Sequence, residues 1–425
     1  MNKLGRTFTT ILLLLFAQVS HGRIHPESLR TDLIGCPEMV SEGQGVEILS
    51  ERPRFSWVVP RGFGQEGYRI IVCNQDGRTL WDSGFVSGNN STSVEYGGPA
   101  LEPSRTYSWK VRLQVSRSGG TKRKTGWSPS QRFRTASSLE EYATPSYPLV
   151  KNTSRPSQNN ISYDKGIYSI DFGKDAFGQL QLTLFSEEGG DSVTVRLGEC
   201  LKDGGILRNP TTTVRFQQHS LKLEKGTHTY MVEVTPDKRN TGPAAIKTPT
   251  YIGEVMPFRY CEIEGYAYGL KSGDILRYEV SHPFGLLGEG EGEFFCKDTV
   301  LQQVWDMCLY SVKATSFTGI YIDGDRERIP YEADALINQL CHYGDDAEYT
   351  MARRSLEYLL EHPTWPTEWI LQSVVIAWND YLFTGDDRLL RKEYDLLKAH
   401  CLGALKEDNG LISTRTGRQT PEFLA

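Results

Sequence analysis

The spacing of apolar residues along the chain changes near residue 294. Before that point, short segments alternate apolar and polar residues with a period of two, which is typical of half-buried β-strands. Such segments lie at 54–59, 68–72, 107–113, 168–172, 179–184, 192–197 and 260–266. After residue 294, apolar residues recur at every third or fourth position, as on one face of an amphipathic helix. The pattern therefore predicts a β-rich N-terminal part and a helical C-terminal part.

Turn-forming residues divide the β-rich part into two predicted domains. The strands between about residues 45 and 137 are separated by turns such as NQDG at 74–77, and they predict a small β-sandwich. The segment 144–160 is rich in Pro, Ser and Asn, which is typical of a linker. Strands resume at 161 and continue to 280, and this region predicts a second, jelly-roll-like sandwich.

The part from 294 to 425 contains five predicted helices joined by short loops. They cover residues 300–312, 330–342, 347–362, 369–382 and 389–405. Asp345 and Asp346 are good N-cap residues and are expected to begin the third helix. Short connections between successive helices produce antiparallel hairpins. The fold class is therefore multidomain, with two β-sandwich domains followed by paired helices.

Composition and charge exclude some functions and leave others open. The 425 residues are 38% hydrophobic and 11% aromatic, which is enough for packed cores, and the formal net charge is −6. Binding of nucleic acid would need a clustered basic excess, which is absent. No His, Asp and Glu residues have metal-ligand spacing, and no cofactor motif is present. Cys308, Cys341 and Cys401 lie on apolar helix faces and are expected in the core.

The first 22 residues have the pattern of a secretory signal peptide. Lys3 and Arg6 precede an apolar run from 11 to 17, and small residues follow near position 22. The apolar run is too short to span a bilayer, and the first cysteine, Cys36, lies well beyond the cleavage site. We therefore expect a secreted or periplasmic protein without a membrane anchor.

The densest group of charges lies in residues 322–334, which read IDGDRERIPYEAD. Pro330 suits the first position of a helix, so Glu327 is expected just before that helix and Asp334 one turn inside it. A helix dipole stabilises each acid by only about 0.3–1 kcal/mol, which is too little to explain five carboxylates side by side. Cleavage of a glycosidic bond does require such a cluster, because one carboxylic acid protonates the leaving oxygen while others bind sugar hydroxyls.

This acid loop resembles that of the bacterial α-L-rhamnosidases, glycoside hydrolase family 78. Glu327 and Arg328 align with the Glu-Arg of the family motif, Asp334 with its last Asp, and Asp323 with its upstream Asp. Tyr331 replaces a Trp of the motif. The resemblance implies that Glu327 is the general acid, and that substrate is bound by other residues of the loop and by a Trp-bearing loop that follows the third helix. The implied substrate-binding residues are Asp323, Asp325, Arg328, Tyr331, Asp334, Trp365, Glu368 and Trp369.

The resemblance also implies the architecture and the reaction. The first domain would be fibronectin-like, and the helices would form the first half of an (α/α)₆ barrel of twelve helices. The reaction would be inverting hydrolysis of terminal α-L-rhamnose from a glycoside or glycan. In the family, a Glu in the later half of the barrel is the general base, and no residue here matches it. We therefore expect a truncated chain that is inactive alone.

Two other interpretations remain open at this point. The chain could be a non-catalytic protein that binds a glycan through its sandwiches, in which case it would bind without releasing a product. It could also be another (α/α)-barrel glycosidase, such as an unsaturated glucuronyl hydrolase, which a panel of nitrophenyl glycosides would distinguish.

Overall fold

The computed structural model describes residues 24–38, 45–117, 120–211, 213–285, 292–366, 368–413 and 415. The predicted signal peptide, residues 1–22, lies outside these ranges. Among the described helices, none has both the length and the apolar character needed to cross a bilayer.

The first domain is a sandwich of two sheets. A three-stranded sheet has the order β1-β3-β7, and it faces a larger sheet with the order β2-β10-β8-β4-β5, to which β6 and β9 add short edges. Strand β8 alternates buried and half-buried residues along its whole length, so Trp109, Val111 and Leu113 enter the core. The strands are β1 Glu27–Thr31, β2 Glu47–Ser50, β3 Arg54–Val58, β4 Gly64–Asn74, β5 Thr79–Asp82, β6 Val86–Ser87, β7 Val94–Glu95, β8 Thr106–Ser116, β9 Arg123–Lys124 and β10 Gln131–Glu140.

The second domain is built around one long, bent strand. Strand β13 pairs with β12 and β19 through its first part and with β20 and β18 through its second part. Its register against β19 shifts between Asp171 and Ala176, which marks a bulge. The strands are β11 Val150–Ser154, β12 Ile161–Asp164, β13 Ile167–Ser186, β14 Ser192–Gly198, β15 Leu201–Lys202, β16 Gly205–Ile206, β17 Phe216–Lys222, β18 Gly226–Val232, β19 Met256–Glu264 and β20 Ile275–Ser281. Bulges bend a strand and redirect its side chains, and they are frequent beside active sites.

The C-terminal part is helical, as the sequence predicts. Helices α2, α3, α4 and α6 pack on one another around Leu356, Leu359 and Ile376. The helices are α1 Thr299–Ala314, α2 Glu332–Asp345, α3 Thr350–Glu361, α4 Ile370–Thr384, α5 Arg388–Lys392 and α6 Tyr394–His400. The fold is thus two sandwiches followed by a region of packed helices.

The helix ends differ from the prediction in three places. Helix α2 begins two residues after Pro330, with Tyr331 at its N-cap. Asp345 and Asp346 lie at the C-terminal end of α2 and do not begin α3. The predicted fifth helix is divided into α5 and α6, because Glu393 leaves the helical conformation with φ −102° and ψ 14°.

The cysteine prediction is also wrong. Cys308, Cys341 and Cys401 are all exposed. Periodicity identifies an apolar face but not the element that covers it, and the apolar face of α1 shows the same effect, with Val300 64% and Met307 62% exposed.

A small apolar cluster joins the second sandwich to the segment between α1 and α2. The rings of Phe177, on β13, and Phe317 stack with centroids 3.8 Å apart. Val255 and Ile322 belong to the same cluster and are buried. Ile322 is the first residue of the acid loop, so the loop begins at a residue that packs against the sandwich.

Candidate active site

A cavity of about 660 Å³ lies between the second sandwich and the beginning of the helical part. Its helical wall carries Tyr331, Asp334, Trp365 and Trp369, and the acid loop forms its floor. The opposite wall comes from the sandwich. The lining residues are Asp175, Phe177, Glu199, Thr213, Pro257, Asp323, Asp325, Arg326, Glu327, Tyr331, Asp334, Trp365 and Trp369.

Two hydrogen bonds close the acid loop on itself. The backbone N–H of Asp323 donates to the carbonyl of Ile329 at 3.0 Å, and the N–H of Ile329 donates to Asp323 Oδ1 at 3.2 Å. Gly324 has φ +115° and Arg328 has φ +55°, so both lie in the left-handed region. A non-glycine residue there is strained, and such strain persists only where surrounding contacts compensate for it. The loop therefore presents Glu327 in an imposed conformation.

Buried ion pairs attach the acid loop to the sandwich. The carboxylate of Asp325 pairs with Arg215, accepts from Asn240 Nδ2 at 3.1 Å, and accepts from Arg328 Nη2 at 2.8 Å. Arg328 also pairs with Glu254 at 2.8 Å and donates to the carbonyl of Val255. The side chains of Arg215 and Arg328 are each 2% exposed. These contacts lie on the buried side of the acid loop and hold it in position against the sandwich.

Glu327 lines the cavity, and about one third of its side chain is exposed. The hydroxyl of Tyr331 donates to its Oε2 at 2.8 Å, and Arg326 Nε lies 3.1 Å from its Oε1. The ring of Tyr331 is edge-on to Trp369, with centroids 5.6 Å apart, and Trp365 lies beyond Trp369. The carboxyl is therefore oriented by two neighbours and faces an aromatic wall.

The two other acids beside Glu327 are easier to protonate than ordinary aspartates. Burial raises the pKa of Asp323 to about 6, with a further contribution from the charges of Glu327 and Asp334, while the N–H of Ile329 and Arg326 oppose the shift. Burial also raises the pKa of Asp334. Oδ2 of Asp323 is buried without a hydrogen bond, and its cation, Arg326, is 3.5 Å away. Carboxyl groups in this state can exchange protons or bind hydroxyl groups near neutral pH.

The sandwich wall adds two carboxyl groups that the sequence analysis missed. Asp175 lies in the bulge of β13, and Glu199 directly follows β14. Their side chains hydrogen bond to each other, and burial raises the pKa of both, that of Glu199 to about 8. Nothing in the sequence links these residues to the acid loop, which is more than a hundred positions away. Thr213, Phe177 and Pro257 also line this wall.

The structure brings most of the predicted site residues together. Seven of them line the cavity, namely Glu327, Asp323, Asp325, Tyr331, Asp334, Trp365 and Trp369. Arg328 is buried behind the loop and does not line it, and Glu368 is exposed outside it. Within the described ranges, no group of three or more His, Cys, Asp or Glu residues has an arrangement that could bind a metal ion.

Three family models match successive parts of the chain. The Rha78A-like N-terminal immunoglobulin domain matches residues 38–138, and the bacterial alpha-L-rhamnosidase concanavalin-like domain matches residues 161–281. The bacterial alpha-L-rhamnosidase six-hairpin glycosidase domain matches residues 289–420, which include the acid loop. No curated protein sequence matches the chain significantly.

Solved structures show the same arrangement of domains. The structure of α-L-rhamnosidase from Dictyoglumus thermophilum matches with a TM-score of 0.66 and 14% identity, covering 89% of this chain and 64% of that chain. Native α-L-rhamnosidase from Aspergillus terreus matches with a TM-score of 0.64 and 12% identity, covering 93% of this chain and 67% of that one. The likeness shows the fold, and the chain spans just under two thirds of the Dictyoglumus chain.

Proposed function

Because three rhamnosidase domain models match in succession and place the chain in the bacterial α-L-rhamnosidase family, we propose that it hydrolyses terminal α-L-rhamnose from glycosides or glycans. The observation that carries this proposal is the position of Glu327. Its carboxyl is partly exposed on the cavity floor, between an aromatic wall and two aspartic acids.

Glu327 is the proton donor to the leaving oxygen in this proposal. Departure of an alkoxide from a sugar carbon is slow unless a carboxylic acid protonates it, and a general acid must lie within hydrogen-bond reach of that oxygen. Tyr331 and Arg326 fix the orientation of Glu327 without covering it. The positive φ of Arg328, next to Glu327, is maintained by the ion pairs of its side chain.

Asp323, Asp334 and the aromatic wall bind the rhamnose ring. Rhamnose is a deoxy sugar with an apolar face that suits contact with Trp365 and Trp369, while its hydroxyl groups require polar partners. A hydrogen bond to a charged group contributes about 1.5–3 kcal/mol, so two carboxyl groups supply most of the polar recognition. Both aspartic acids line the same cavity as the two rings.

We further propose that the reaction inverts the anomeric configuration. Inversion requires a second carboxylate, about 6.5–9.5 Å from the acid, that activates a water molecule on the opposite face of the ring. Among the cavity carboxyls in the described ranges, Asp325 is occupied by two guanidiniums, and Asp175 and Glu199 bind each other. The assignment of the base therefore stays open, and the anomer first released, followed by proton NMR, tests the stereochemistry.

Replacing Glu327 in the full-length protein tests the proposal directly, because the chain alone is expected to lack the general base. Glu327→Gln keeps the shape of the side chain but cannot donate the proton, so turnover of a rhamnosyl disaccharide should fall about 10²- to 10⁴-fold. Turnover of 4-nitrophenyl α-L-rhamnoside should fall less, because nitrophenolate leaves with little protonation. Steady-state kinetics on both substrates measures the difference.

The matched control is Glu361→Gln, at the exposed end of α3, which should leave both rates within about twofold. Equal losses on the two substrates would contradict the role of Glu327 as the acid. Binding of L-rhamnose by the unmodified protein without release of product from either substrate would instead favour a glycan-binding protein.

A further inference from the structure

The sandwich wall of the cavity carries a carboxyl pair that the proposed mechanism does not use. Asp175 is placed by the bulge in β13 and Glu199 by the end of β14, and the two side chains hydrogen bond to each other. Both line the same cavity as Glu327. They reach it from a different domain than the acid loop, so they form the wall that faces the rhamnose-binding residues.

The contacts of Asp175 and Glu199 do not show that either carboxyl group is part of a structural ion pair. Within the part of the chain that the structure describes, neither side chain forms an ion pair with a cation. Glu199 accepts from the backbone N–H of Arg215, and Asp175 accepts from the N–H of Ala176 at 3.1 Å. The guanidinium of Arg215 is directed to Asp325 and Asp237 instead. The charges of Arg277 and Arg259 lower the pKa of Asp175, but these arginines pair with Glu279 and Asp171, and burial outweighs their effect. Buried carboxyl groups without a direct ion pair are costly, which favours a role towards a ligand.

The geometry of glycoside cleavage places the leaving group at this wall. Glu327 protonates the oxygen that joins the two halves of the substrate, so those halves lie on opposite sides of its carboxyl. Trp365, Trp369 and Asp334 form the side that suits the rhamnose ring. The other side carries the polar groups of Asp175, Glu199 and Thr213, and the only aromatic ring that the described residues place there, that of Phe177, is largely buried against Phe317.

The charge of the cavity restricts which leaving group fits. Among the described residues, its lining holds six carboxyl groups and one guanidinium, that of Arg326. Asp325 is neutralised by Arg215 and Arg328. The raised pKa values of Asp323 and Glu199 leave these two groups partly protonated near neutral pH, but the remaining carboxylates still outnumber the one cation. A uronic acid would add another carboxylate within a few ångströms of these groups, and like charges at such distances repel. A neutral sugar has hydroxyl groups that both donate to and accept from carboxyl groups.

We propose that Asp175 and Glu199 bind hydroxyl groups of a neutral sugar in the leaving-group position, so that the substrate is a rhamnosyl glycan with a neutral penultimate sugar. This inference rests on the proposed function and specifies the other half of the substrate. Burial and mutual repulsion raise the pKa of Glu199, so the pair retains a proton near neutral pH. It can then donate one hydrogen bond and accept others.

The experiment compares three rhamnosides with leaving groups of different chemistry. They are a rhamnosyl-glucose disaccharide, a rhamnosyl-galacturonate disaccharide and 4-nitrophenyl α-L-rhamnoside. The unmodified protein should have a kcat/KM at least tenfold higher for the neutral disaccharide than for the acidic one. Asp175→Ala and Glu199→Ala should each raise KM for the neutral disaccharide by roughly 5- to 30-fold with little change in kcat, the effect of one or two lost hydrogen bonds.

Two further variants make the result specific. Glu199→Gln keeps a donor and an acceptor at this position, so KM for the neutral disaccharide should stay within about threefold of the unmodified value. Glu188→Gln, whose side chain is 81% exposed on the same domain, is the matched control and should change nothing. Thermal unfolding of each variant identifies any loss that comes from folding, and the preference of the unmodified protein for the neutral over the acidic disaccharide carries the test if Glu199→Ala does not fold.

The outcomes separate this inference from the proposed function. Equal kcat/KM for the two disaccharides, or unchanged KM in both Asp175→Ala and Glu199→Ala, would overturn the inference while cleavage of 4-nitrophenyl α-L-rhamnoside upheld the function. A proportionate loss on the nitrophenyl substrate in these variants would also overturn it, because the pair would then serve the rhamnose ring or the acid. No cleavage of any of the three by the unmodified protein would contradict the function itself.

Discussion

At the scale of single residues, the acid loop brings several carboxyl groups close together. Their mutual repulsion is reduced because some of them pair with guanidinium groups. Asp325 is neutralised by Arg215 and Arg328, while Asp323 has only Arg326, at 3.5 Å. Burial and the neighbouring Glu327 therefore favour the protonated form of Asp323. The same loop thus contains one carboxylate that is strongly paired and another that can bind a proton at mildly acidic pH.

The raised pKa of Asp323 predicts a pH-dependent stability. An unfolded aspartic acid titrates near 3.9, whereas the pKa of Asp323 in the folded protein is about 6. Between these values the folded state retains a proton that the unfolded state loses, so the free energy of unfolding falls as the pH rises. Relative to Asp323→Asn, the free energy of unfolding of the unmodified protein should fall by on the order of 1–2 kcal/mol between pH 4 and pH 7.

Urea unfolding of both proteins across this pH range measures the difference, because the titrating groups that do not interact with Asp323 cancel. The raised pKa of Asp323 would be contradicted if the difference in the free energy of unfolding between the two proteins stayed constant as the pH rises, or changed in favour of the unmodified protein. Calorimetry of L-rhamnose binding on the same samples reports whether Asp323 also contacts the sugar.

At the scale of elements, a buried acid connects a strand end to a helix start. The side chain of Glu348 is 4% exposed and accepts from the N–H groups of Thr350 and Met351, so it caps α3. His282, which follows β20, lies 2.9 Å from the same carboxylate. Burial raises the pKa of Glu348, but the charges of His282 and His342 and the hydrogen bonds from His282 and Thr350 together outweigh it and lower the pKa to about 2. The second sandwich and α3 are thereby joined through one side chain.

Loss of this carboxylate should destabilise the helical part. Glu348→Ala removes a helix cap and leaves His282 buried without its partner, so the free energy of unfolding should fall by about 3 kcal/mol. Hydrogen exchange should increase first in α3. Glu361→Ala, at the exposed end of the same helix, should change stability by less than about 0.5 kcal/mol. Unchanged exchange in α3 of Glu348→Ala would show that the cap contributes little.

At the scale of the whole molecule, the candidate site exists only because two domains meet. The sandwich supplies one wall of the cavity, and its Arg215 and Asn240 fix the position of Asp325 in the acid loop. Phe177 and Phe317 stack beneath the same junction. Ion pairs also join the first domain to the helices, because Arg388 pairs with Asp32 at 2.9 Å and with Asp386 at 2.7 Å.

Removing Asp325 should therefore act on stability and on the site together. Asp325→Ala leaves the guanidiniums of Arg215 and Arg328 buried without their shared carboxylate, which should cost about 3–5 kcal/mol. The loop would also lose its attachment to the sandwich, so the affinity for L-rhamnose should fall. Asp164→Asn, whose side chain is 84% exposed on β12, is the control.

Chemical unfolding and calorimetry with L-rhamnose, measured on the same preparation, test both effects. Weakened binding at full stability would indicate that Asp325 contacts the sugar itself. Lowered stability with unchanged binding would indicate that the loop keeps its shape without this anchor.

Local signals in the sequence were sufficient for the order of domains and for one side of the site. Alternation with a period of two identified the strands, helical periodicity identified the helices, and the motif around Glu327 placed Asp323, Tyr331 and Asp334 in one segment. These properties depend on residues close together in the chain, where side-chain spacing reflects backbone geometry. The same signals did not identify the cap of α3 or the division between α5 and α6, since helix ends depend on single hydrogen bonds.

Only the tertiary structure decided which groups share the cavity. It placed Asp175 and Glu199 opposite Glu327, and it buried Arg328 behind the loop as an anchor. It also left Cys308 and Cys341 exposed, although periodicity favoured the core. Contacts between residues more than a hundred positions apart depend on how whole domains pack, and no local pattern records that packing. The residues of the acid loop could therefore be predicted from the sequence, whereas the residues of the sandwich wall could be identified only from the fold.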